Sequence, residues 1–265
     1  MPILNKLFSA YESLGFTVSS GLNPHHHGGN LGAPFTWLLK DGKSFSNGLG
    51  ISMKEIYFLE CLFDGFRPKT AFVIGNSFGW SSLAVGLLNP ESQVVAIDAG
   101  FDENSIEGLE VTNQLSASLG LGVTAVKAVS PDGVDQVIAE HLGAPVDFVF
   151  IDGLHTNEQV FKDYAALKPY MSENGVFLFH DVVSCGLRSG IERIAEDCGK
   201  TPEVLYGTSS GMAILCLGDD AGIARTLSTF RGNPAAIKLI KQQGGAGLPR
   251  MLARWRRSLT KRLAS

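Results

Sequence analysis

Short apolar runs alternate with longer amphipathic stretches along most of the chain. Runs at 71–74, 94–97, 146–151 and 175–179 are each long enough for a buried strand. The stretches between them have the length and spacing of helices. Strands that alternate with helices pair into a parallel sheet that is covered on both faces. The pattern therefore predicts an α/β fold with a doubly wound, mostly parallel sheet.

Capping residues mark the start of two predicted helices. Ser52–Glu55 and Thr156–Gln159 have the spacing of capping boxes, in which each side chain satisfies a backbone N–H group of the first turn. They predict helices that run to about residues 63 and 167. Further helices are predicted within 1–20 and at 80–88, 105–119, 132–142 and 187–198, and a strand at 122–129.

The pattern changes twice toward the carboxyl end. Two apolar runs within 204–218 are separated by a turn rich in glycine and serine, which predicts a terminal antiparallel hairpin. Helices are predicted beyond it at 221–230, 234–241 and 249–263. Three parts are therefore predicted: an N-terminal helix and lid-like loop (1–50), a main domain (51–220) and a C-terminal helical extension (221–265).

The composition excludes several classes of protein. Hydrophobic residues make up 45% of the chain and charged residues 18%, and no apolar run reaches the length of a membrane span. The first ten residues hold no sustained apolar core, so no signal peptide is predicted and a cytoplasmic location is expected. The cysteines are far apart, and reduced, mostly buried thiols are expected rather than a zinc site or disulfides.

Charge is divided unevenly along the chain. Ten of the 22 lysine and arginine residues lie within 221–265, whereas all 26 acidic residues lie before it. The acidic main body argues against a nucleic-acid partner. The last predicted helix, 249–263, has an apolar stripe around Trp255 opposite a basic face. Two roles for it stay open: packing in a homo-oligomer, which is favoured, and binding to an anionic membrane surface.

A glycine turn follows the first of the apolar runs. Gly75 and Gly79 flank it, and glycine lets the backbone approach a ligand closely while the next helix directs N–H groups at negative charge. Asp98 ends the following strand, where a βαβ unit places the carboxylate that binds a ribose. This arrangement predicts nucleoside binding, although the spacing differs from the G-x-G-x-x-G of dinucleotide sites.

Polar side chains follow two later strands. Asp152 comes directly after the third run with His155 three residues beyond it, and His180 and Asp181 come directly after the fourth. Because the carboxyl ends of parallel strands share one edge of the sheet, all four are expected near the glycine turn. Carboxylates placed in this way can hold a hard divalent cation, and a neighbouring histidine can act as a general base.

The motifs GNSFGWSS, FVFIDGLH and FLFHDV, together with Asp98, resemble class I S-adenosylmethionine-dependent O-methyltransferases. The chain is most similar to the metal-dependent bacterial group that methylates sugars and other natural products, and more distantly to catechol and caffeoyl-CoA methyltransferases. The resemblance covers roughly residues 50–217. It implies a Rossmann-like fold, S-adenosylmethionine and a divalent cation (expected to be Mg²⁺) as cofactors, and a hydroxylated small molecule as acceptor.

The resemblance also implies roles for individual residues. Matches to the loop around the methionine part of S-adenosylmethionine are Gly75, Asn76, Ser77, Gly79 and Ser81. Asp98 matches the acid that binds the ribose, and Ser130 the position that contacts adenine. Asp152 and Asp181 match metal ligands, and His155 matches the residue that removes the substrate proton.

His180 departs from the pattern of the resembled group, which usually has Asp or Glu at this position. It is taken here as a third metal ligand beside Asp152 and Asp181. An imidazole lowers the negative charge of the site and its preference for magnesium over softer ions. The identity of the cation is therefore left open between magnesium and other divalent ions.

Three alternatives stay open at this point. A metal-independent methyltransferase of the same fold would rely on His155 alone. An NAD-dependent oxidoreductase would share the βαβ unit but does not explain the polar groups after the later strands. A non-catalytic protein would use the domain as a scaffold for the basic tail. Within the glycine- and proline-rich loop, His25, His26 and His27 are expected to be solvated, in a flap over the site if they act at all.

Overall fold

The computed structural model describes residues 2–101, 103–143, 145–219 and 221–245. The strands of these residues are β1 (Thr17–Ser19), β2 (Trp37–Lys40), β3 (Lys43–Ser44), β4 (Thr70–Ile74), β5 (Gln93–Asp98), β6 (Val123–Lys127), β7 (Val146–Ile151), β8 (Met171–Phe179), β9 (Glu203–Leu205) and β10 (Met212–Cys216). Their α-helices are α1 (Ile3–Ser13), α2 (Met53–Gly65), α3 (Trp80–Leu88), α4 (Glu103–Leu119), α5 (Val134–His141), α6 (Asn157–Leu167), α7 (Arg188–Cys198), α8 (Ala224–Arg231) and α9 (Pro234–Gly245).

Seven strands form the central sheet, in the order β6-β5-β4-β7-β8-β10-β9. The strands from β6 to β8 pair in parallel, and β10 runs antiparallel to both β8 and β9. The chain leaves β4 in one direction and returns to its other side with β7, which makes the switch point of a doubly wound sheet. The predicted Rossmann-like sheet with a terminal antiparallel hairpin is thus confirmed.

Both faces of the sheet are buried, which explains why its central strands are continuous apolar runs. Every residue of β4 is buried. Ala71 and Val73 pack with α2 and α3 on one face, whereas Phe72 and Ile74 pack with α5, α6 and α7 on the other. Side chains alternate across a strand, so a strand between two helical layers has to be apolar at successive positions.

A second, three-stranded sheet lies in the segment that was expected to be a lid-like loop. Its order is β1-β2-β3, and both pairings are antiparallel. Side-chain hydroxyls reinforce it, since Ser46 Oγ accepts from Leu38 N at 2.9 Å and Thr36 Oγ1 donates to Ile51 O at 2.8 Å. Strands this short, flanked by glycine and proline, leave too little alternation for a pattern to detect.

The chain divides into two units between Phe230 and Arg231. Before this point, Ile223, Leu227 and Phe230 are buried in the same core as α2. The main body therefore includes most of α8, although composition changes at residue 220. The division into three parts stays a prediction, and the predicted helix 249–263 lies outside the described residues.

Two further comparisons concern the membrane and the thiols. No helix among the described residues combines the length and the apolar character that a membrane crossing requires.

Cys61, Cys198 and Cys216 are half-buried and Cys185 is exposed, so the expectation of mostly buried thiols was wrong.

Candidate active site

The turn after β4 can be built only with glycine at its two flanking positions. Gly75 has φ +92°, and a Cβ atom there would lie 2.0 Å from the carbonyl oxygen of Asp152. Gly79 has φ +81°, and a Cβ atom there would lie 2.2 Å from Oγ1 of Thr112. Both the backbone conformation and the close approach exclude a side chain. We call residues 75–81 the glycine turn.

Asp98 braces the glycine turn from the end of β5. Its Oδ2 accepts a hydrogen bond from Ser77 N at 2.8 Å, and its Oδ1 accepts one from Gly100 N at 3.0 Å. Ser77 is itself in the left-handed region, with φ +45°. The carboxylate that the resemblance assigns to ribose binding thus also holds the backbone of the turn.

Asn76 is held by protein groups. Its side chain is 1% exposed, and its Nδ2 donates to Thr112 Oγ1 and to Ser77 O, both at 2.9 Å. Its Oδ1 accepts from Ser82 Oγ at 3.0 Å. This amide therefore links the glycine turn to α3 and α4. The backbone of Asn76 is also engaged, since its N–H donates to Ile97 O at 3.1 Å and its carbonyl accepts from Gly79 N at 2.7 Å.

A small cavity lies between the glycine turn and the three-stranded sheet. Gly75, Ser77 and Ser81 line one side of it, and Asp152 contributes from the end of β7. Thr36, Leu38, Ser46 and Leu49 form the opposite wall. Sequence reasoning missed these wall residues, because nothing local to them indicates which surface they cover.

Trp80 also lines this cavity and supplies a free hydrogen-bond donor. Its side chain is 2% exposed, and the indole Nε1 is buried without a hydrogen-bond partner among the described residues. A buried N–H group without an acceptor costs free energy unless a ligand or water satisfies it. The cavity thus fits a ligand that carries acceptor atoms.

Ser130 lies beyond the end of β6 and contacts α6. Its Oγ donates to Asp163 Oδ1 at 2.5 Å, and Gln159 Nε2 donates both to Asp163 Oδ1 at 2.7 Å and to Ser130 O at 3.0 Å. Thr156 Oγ1 accepts from Gln159 N, as in a capping box. The prediction of a reciprocal capping box was wrong, because the Gln159 side chain donates to Asp163 and to Ser130 O instead of to the backbone at the start of the helix.

The structure brings the four polar residues at the ends of β7 and β8 together. Asp152, His155, His180 and Asp181 each offer one ligand atom, and these atoms lie within 4.8 Å of one another. Nε2 of His155 is 3.1 Å from Asp152 Oδ1 and 3.3 Å from Asp181 Oδ2. Nδ1 of His180 is 3.0 Å from Asp152 Oδ1 and 3.5 Å from Asp181 Oδ2. We call these four residues the Asp-His cluster.

Backbone geometry directs Asp181 into the cluster. Its φ is +54°, which a residue with a side chain rarely adopts. Ser184 Oγ donates to Asp181 Oδ1, and Cys185 N donates to Asp181 O at 2.9 Å. Strained residues of this kind persist only where the surrounding structure holds them, and they concentrate at functional sites.

Glu55 is a fifth ionisable member of the site, and sequence reasoning missed it. Its carboxylate is fully buried, and Oε2 lies 3.3 Å from Nε2 of His180. The capping box in which Glu55 was recognised is present, with Ser52 N donating to Oε2 at 2.9 Å. That box explains the residue locally, so no signal in the sequence pointed to a contact with β8.

Opposite charges perturb the ionisation of the site. Burial alone would lower the pKa of His180, but the carboxylates of Asp152 and Glu55 raise that pKa well above its usual range. Burial alone would raise the pKa of Glu55 and of Asp181, but the neighbouring His180 lowers each of these pKa values to about 2. The hydrogen bond to Asp152 raises the pKa of His155.

The donor set fits a divalent cation. Both ring nitrogens of His180 lie within ion-pair distance of carboxylates, yet neither makes a hydrogen bond of good geometry. Nδ1 is thus a buried polar atom without a directional partner, and it faces two carboxylate oxygens. Imidazole nitrogen with carboxylate oxygen suits Mn²⁺, Zn²⁺ and similar ions, and the carboxylates alone suit Mg²⁺.

The three consecutive histidines lie apart from this cluster. His25, His26 and His27 belong to a short 3₁₀ helix, Pro24–His27, in which no residue is buried. Among the described residues, the Asp-His cluster is the group whose atoms could hold a metal ion, and it does not include these histidines. Their expected flap role stays a prediction.

Comparison with known proteins agrees with the predicted fold. Residues 72–182 match the family model described as a methyltransferase domain. No curated protein matches the chain in a sequence search. The matched region covers the glycine turn, Asp98 and the whole Asp-His cluster. This match favours a methyltransferase over the oxidoreductase alternative.

Solved structures share the fold at low sequence identity. A structure described as a putative caffeoyl-CoA O-methyltransferase from Staphylococcus aureus is 16% identical, with a TM-score of 0.53 over 63% of this chain and 85% of that one. CalS11, described as a calicheamicin methyltransferase, is 17% identical, with a TM-score of 0.52 over 63% of this chain and 80% of that one. Residues 72–182 thus match a methyltransferase domain, and the chain shares the fold of these methyltransferases, in agreement with the resemblance predicted from its motifs.

Proposed function

We propose that the protein transfers a methyl group from S-adenosylmethionine to a hydroxyl group of a small molecule, with the help of a divalent cation. The observation that carries the proposal is that Asp152 belongs both to the cavity beside the glycine turn and to the Asp-His cluster. A donor bound at the turn and a cation bound at the cluster would thus be neighbours. The acceptor class is a sugar, a phenol or a related natural product; CalS11, of the same fold, is described as a TDP-rhamnose 3'-O-methyltransferase.

The residues around the cavity would bind the methyl donor. S-adenosylmethionine would supply the methyl carbon from its sulfonium centre. Asp98 would accept from the ribose hydroxyls, and Ser130 would lie beside the adenine. The glycine turn, with Ser77 and Ser81, would surround the methionine part. The unpartnered Nε1 of Trp80 supports this assignment, because S-adenosylmethionine carries carboxylate oxygens that can accept a hydrogen bond from it.

The Asp-His cluster would activate the acceptor. A divalent cation held by Asp152, His180 and Asp181 would make an acceptor hydroxyl easier to deprotonate. His155 is the most accessible member, with 32% of its side chain exposed, so it could reach the acceptor and take up its proton. Asp152, whose carboxylate can only accept, would orient this imidazole through the 3.1 Å contact to Nε2, which leaves Nδ1 as the nitrogen that would take up the proton. Orientation of the oxygen toward the methyl carbon can supply on the order of 7 kcal/mol of the barrier.

Removal of metal tests the proposal directly. Excess chelator is expected to lower the turnover of S-adenosylmethionine with an accepted hydroxyl substrate by at least about 100-fold, and added Mg²⁺ or Mn²⁺ to restore it. Asp152→Asn is expected to lose activity to a similar extent. The matched control is Glu196→Gln, which removes one charge from an exposed position on α7 and should leave activity unchanged.

One observation favours a second candidate, a methyltransferase that works without metal. His180 Nδ1 lies 3.0 Å from Asp152 Oδ1, so a protonated imidazole can itself neutralise the carboxylates while His155 acts as base. Full activity in excess chelator, together with inactivity of His155→Gln, would establish this candidate and reject the cation. Loss of activity in chelator with recovery on adding metal would reject it instead.

A further inference from the structure

The buried carboxylate of Glu55 is held in one orientation by three donors. Ser52 N donates to Oε2 at 2.9 Å, while Ser210 donates to Oε1 from its backbone N at 2.8 Å and from its Oγ at 2.6 Å. Ser52 begins α2, and Ser210 lies in the turn between β9 and β10. A carboxylate that accepts from all sides is ionised and has no proton to give. Oε2 therefore presents only acceptor capacity to its remaining neighbour, His180.

The His180 ring lies between this carboxylate and the Asp-His cluster. Nε2 is 3.3 Å from Glu55 Oε2, and Nδ1 on the other side is 3.0 Å from Asp152 Oδ1. The residue is 4% exposed, and Phe35 and Phe150 contact the ring with centroid separations of 6.1 and 5.8 Å. Rotating the ring by half a turn would point carbon atoms at both carboxylates. The present orientation is thus the one that electrostatics favours.

The position of the proton follows from this arrangement. A neutral imidazole carries one N–H group, and which nitrogen holds it depends on the partner of the other nitrogen. Carboxylates face both ring nitrogens. A cation held by the cluster would take the place of a proton on Nδ1, and Oε2 of Glu55, which can only accept, would then stabilise the remaining proton on Nε2. The lone pair is then on Nδ1, where it faces Asp152 Oδ1 and, at 3.5 Å, Asp181 Oδ2. Nδ1 and the two carboxylate oxygens would then be the three atoms that hold the cation.

We propose that Glu55 is a positioning residue that keeps the His180 proton on Nε2 and so presents Nδ1 as a metal ligand beside Asp152 and Asp181. This inference rests on the metal-assisted form of the proposed function. It explains how an imidazole can serve where the resembled group usually has a carboxylate. The negative charge is then carried by Glu55, the partner of His180, instead of by the metal ligand itself. Carboxylates that orient ligating histidines in this way commonly change metal affinity by about 10- to 100-fold.

Replacement of Glu55 by glutamine makes a sharp test, because it preserves volume and inverts the donor pattern. The two donors from Ser210 select the amide oxygen for the Oε1 position, so the amide NH₂ takes the place of Oε2. It would then face Nε2 of His180 and stabilise the proton on Nδ1. We expect Glu55→Gln to bind Mn²⁺ about 10- to 100-fold more weakly than the unaltered protein in calorimetry. Glu60→Gln on the same helix removes the same charge without contacting His180, and its Mn²⁺ affinity should be unchanged.

A second measurement needs no variant. Nitrogen NMR of the unaltered full-length protein saturated with Mg²⁺ should show His180 protonated at Nε2 and coordinated through Nδ1. A proton on Nδ1, or unchanged Mn²⁺ affinity in Glu55→Gln with only a lower Tm, would overturn the inference and leave the proposed function standing. If the unaltered protein binds no Mn²⁺, the metal-assisted function and this inference fail together.

Discussion

Single residues at the glycine turn are set by space as much as by ligand chemistry. A Cβ at Gly75 would overlap the Asp152 carbonyl, and its φ of +92° adds strain. We expect Gly75→Ala to lower the free energy of unfolding by at least about 2 kcal/mol, since overpacking and an unfavourable φ act together. Denaturant titration measures this effect.

Gly120 provides the matched control at the end of α4. Its φ of +65° imposes similar backbone strain, but a Cβ there meets nothing within 4 Å. Gly120→Ala should therefore cost only about 1 kcal/mol, the strain contribution alone. Equal losses at both positions would show that steric overlap with Asp152 contributes nothing.

At the scale of elements, Asp163 links α6 to the loop after β6. Burial raises its pKa above the ordinary value of 3.8. Ionisation is thus penalised in the folded state, and the stability that Asp163 contributes below its unfolded pKa is lost as pH rises through its folded pKa. Asp163→Asn keeps the acceptor for Ser130 and Gln159 but cannot ionise. The variant should gain stability relative to the unaltered protein between about pH 3.5 and pH 7, as measured by urea unfolding at each pH.

Asp197 on α7 provides a control of opposite sign. The ion pair with Lys168 lowers its pKa, so its contribution is present above the unfolded pKa and is lost as pH falls. Asp197→Asn should lose stability relative to the unaltered protein over the same rise in pH, by a small amount because solvent screens the pair. If the difference in unfolding free energy between Asp163→Asn and the unaltered protein did not change with pH, burial would not be penalising the ionisation of Asp163.

At the scale of the whole molecule, the end of the main body can be located by truncation. Ile223, Leu227 and Phe230 are buried, and burying such side chains stabilises a protein by about 1.5 to 3 kcal/mol each. A chain that ends at Asp219 should lose at least about 4 kcal/mol, whereas a chain that ends at Asn233 should retain cooperative thermal unfolding. Calorimetry of both truncations distinguishes a domain that ends at 220 from one that includes α8.

The longer truncated chain also tests the role of the basic tail. If the tail packs in a homo-oligomer, removal of residues 234–265 should lower the number of subunits per assembly, obtained as the mass by light scattering divided by the mass of one chain. An unchanged number of subunits, with salt-sensitive binding of the full chain to anionic vesicles, would favour the membrane role instead. Either result leaves the residues of the Asp-His cluster in place, because they lie in the first unit.

Much of the architecture follows from local patterns in the sequence. Apolar runs predicted β4, β5 and β7 to within a residue or two, since a strand buried on both faces must be apolar throughout. The residues that follow β7 and β8 were expected at one edge of the sheet because parallel strands align their carboxyl ends. The sequence alone thus predicts that Asp152, His155, His180 and Asp181 lie together. Their residue types predicted a cation site beside a general base, and the family resemblance then assigned these roles to individual residues.

Tertiary structure alone decided which distant groups meet. Glu55 has a complete local explanation as a capping residue. The packing of α2 nevertheless brings the Glu55 carboxylate to His180, which directly follows β8. Gln159 likewise has a local explanation as a capping residue, but its side chain donates to Asp163 and to Ser130 O instead. Periodicity reports which face of an element is buried and does not report what lies against that face. The partner of a buried polar group is set by the packing of whole elements, and only the folded chain determines it.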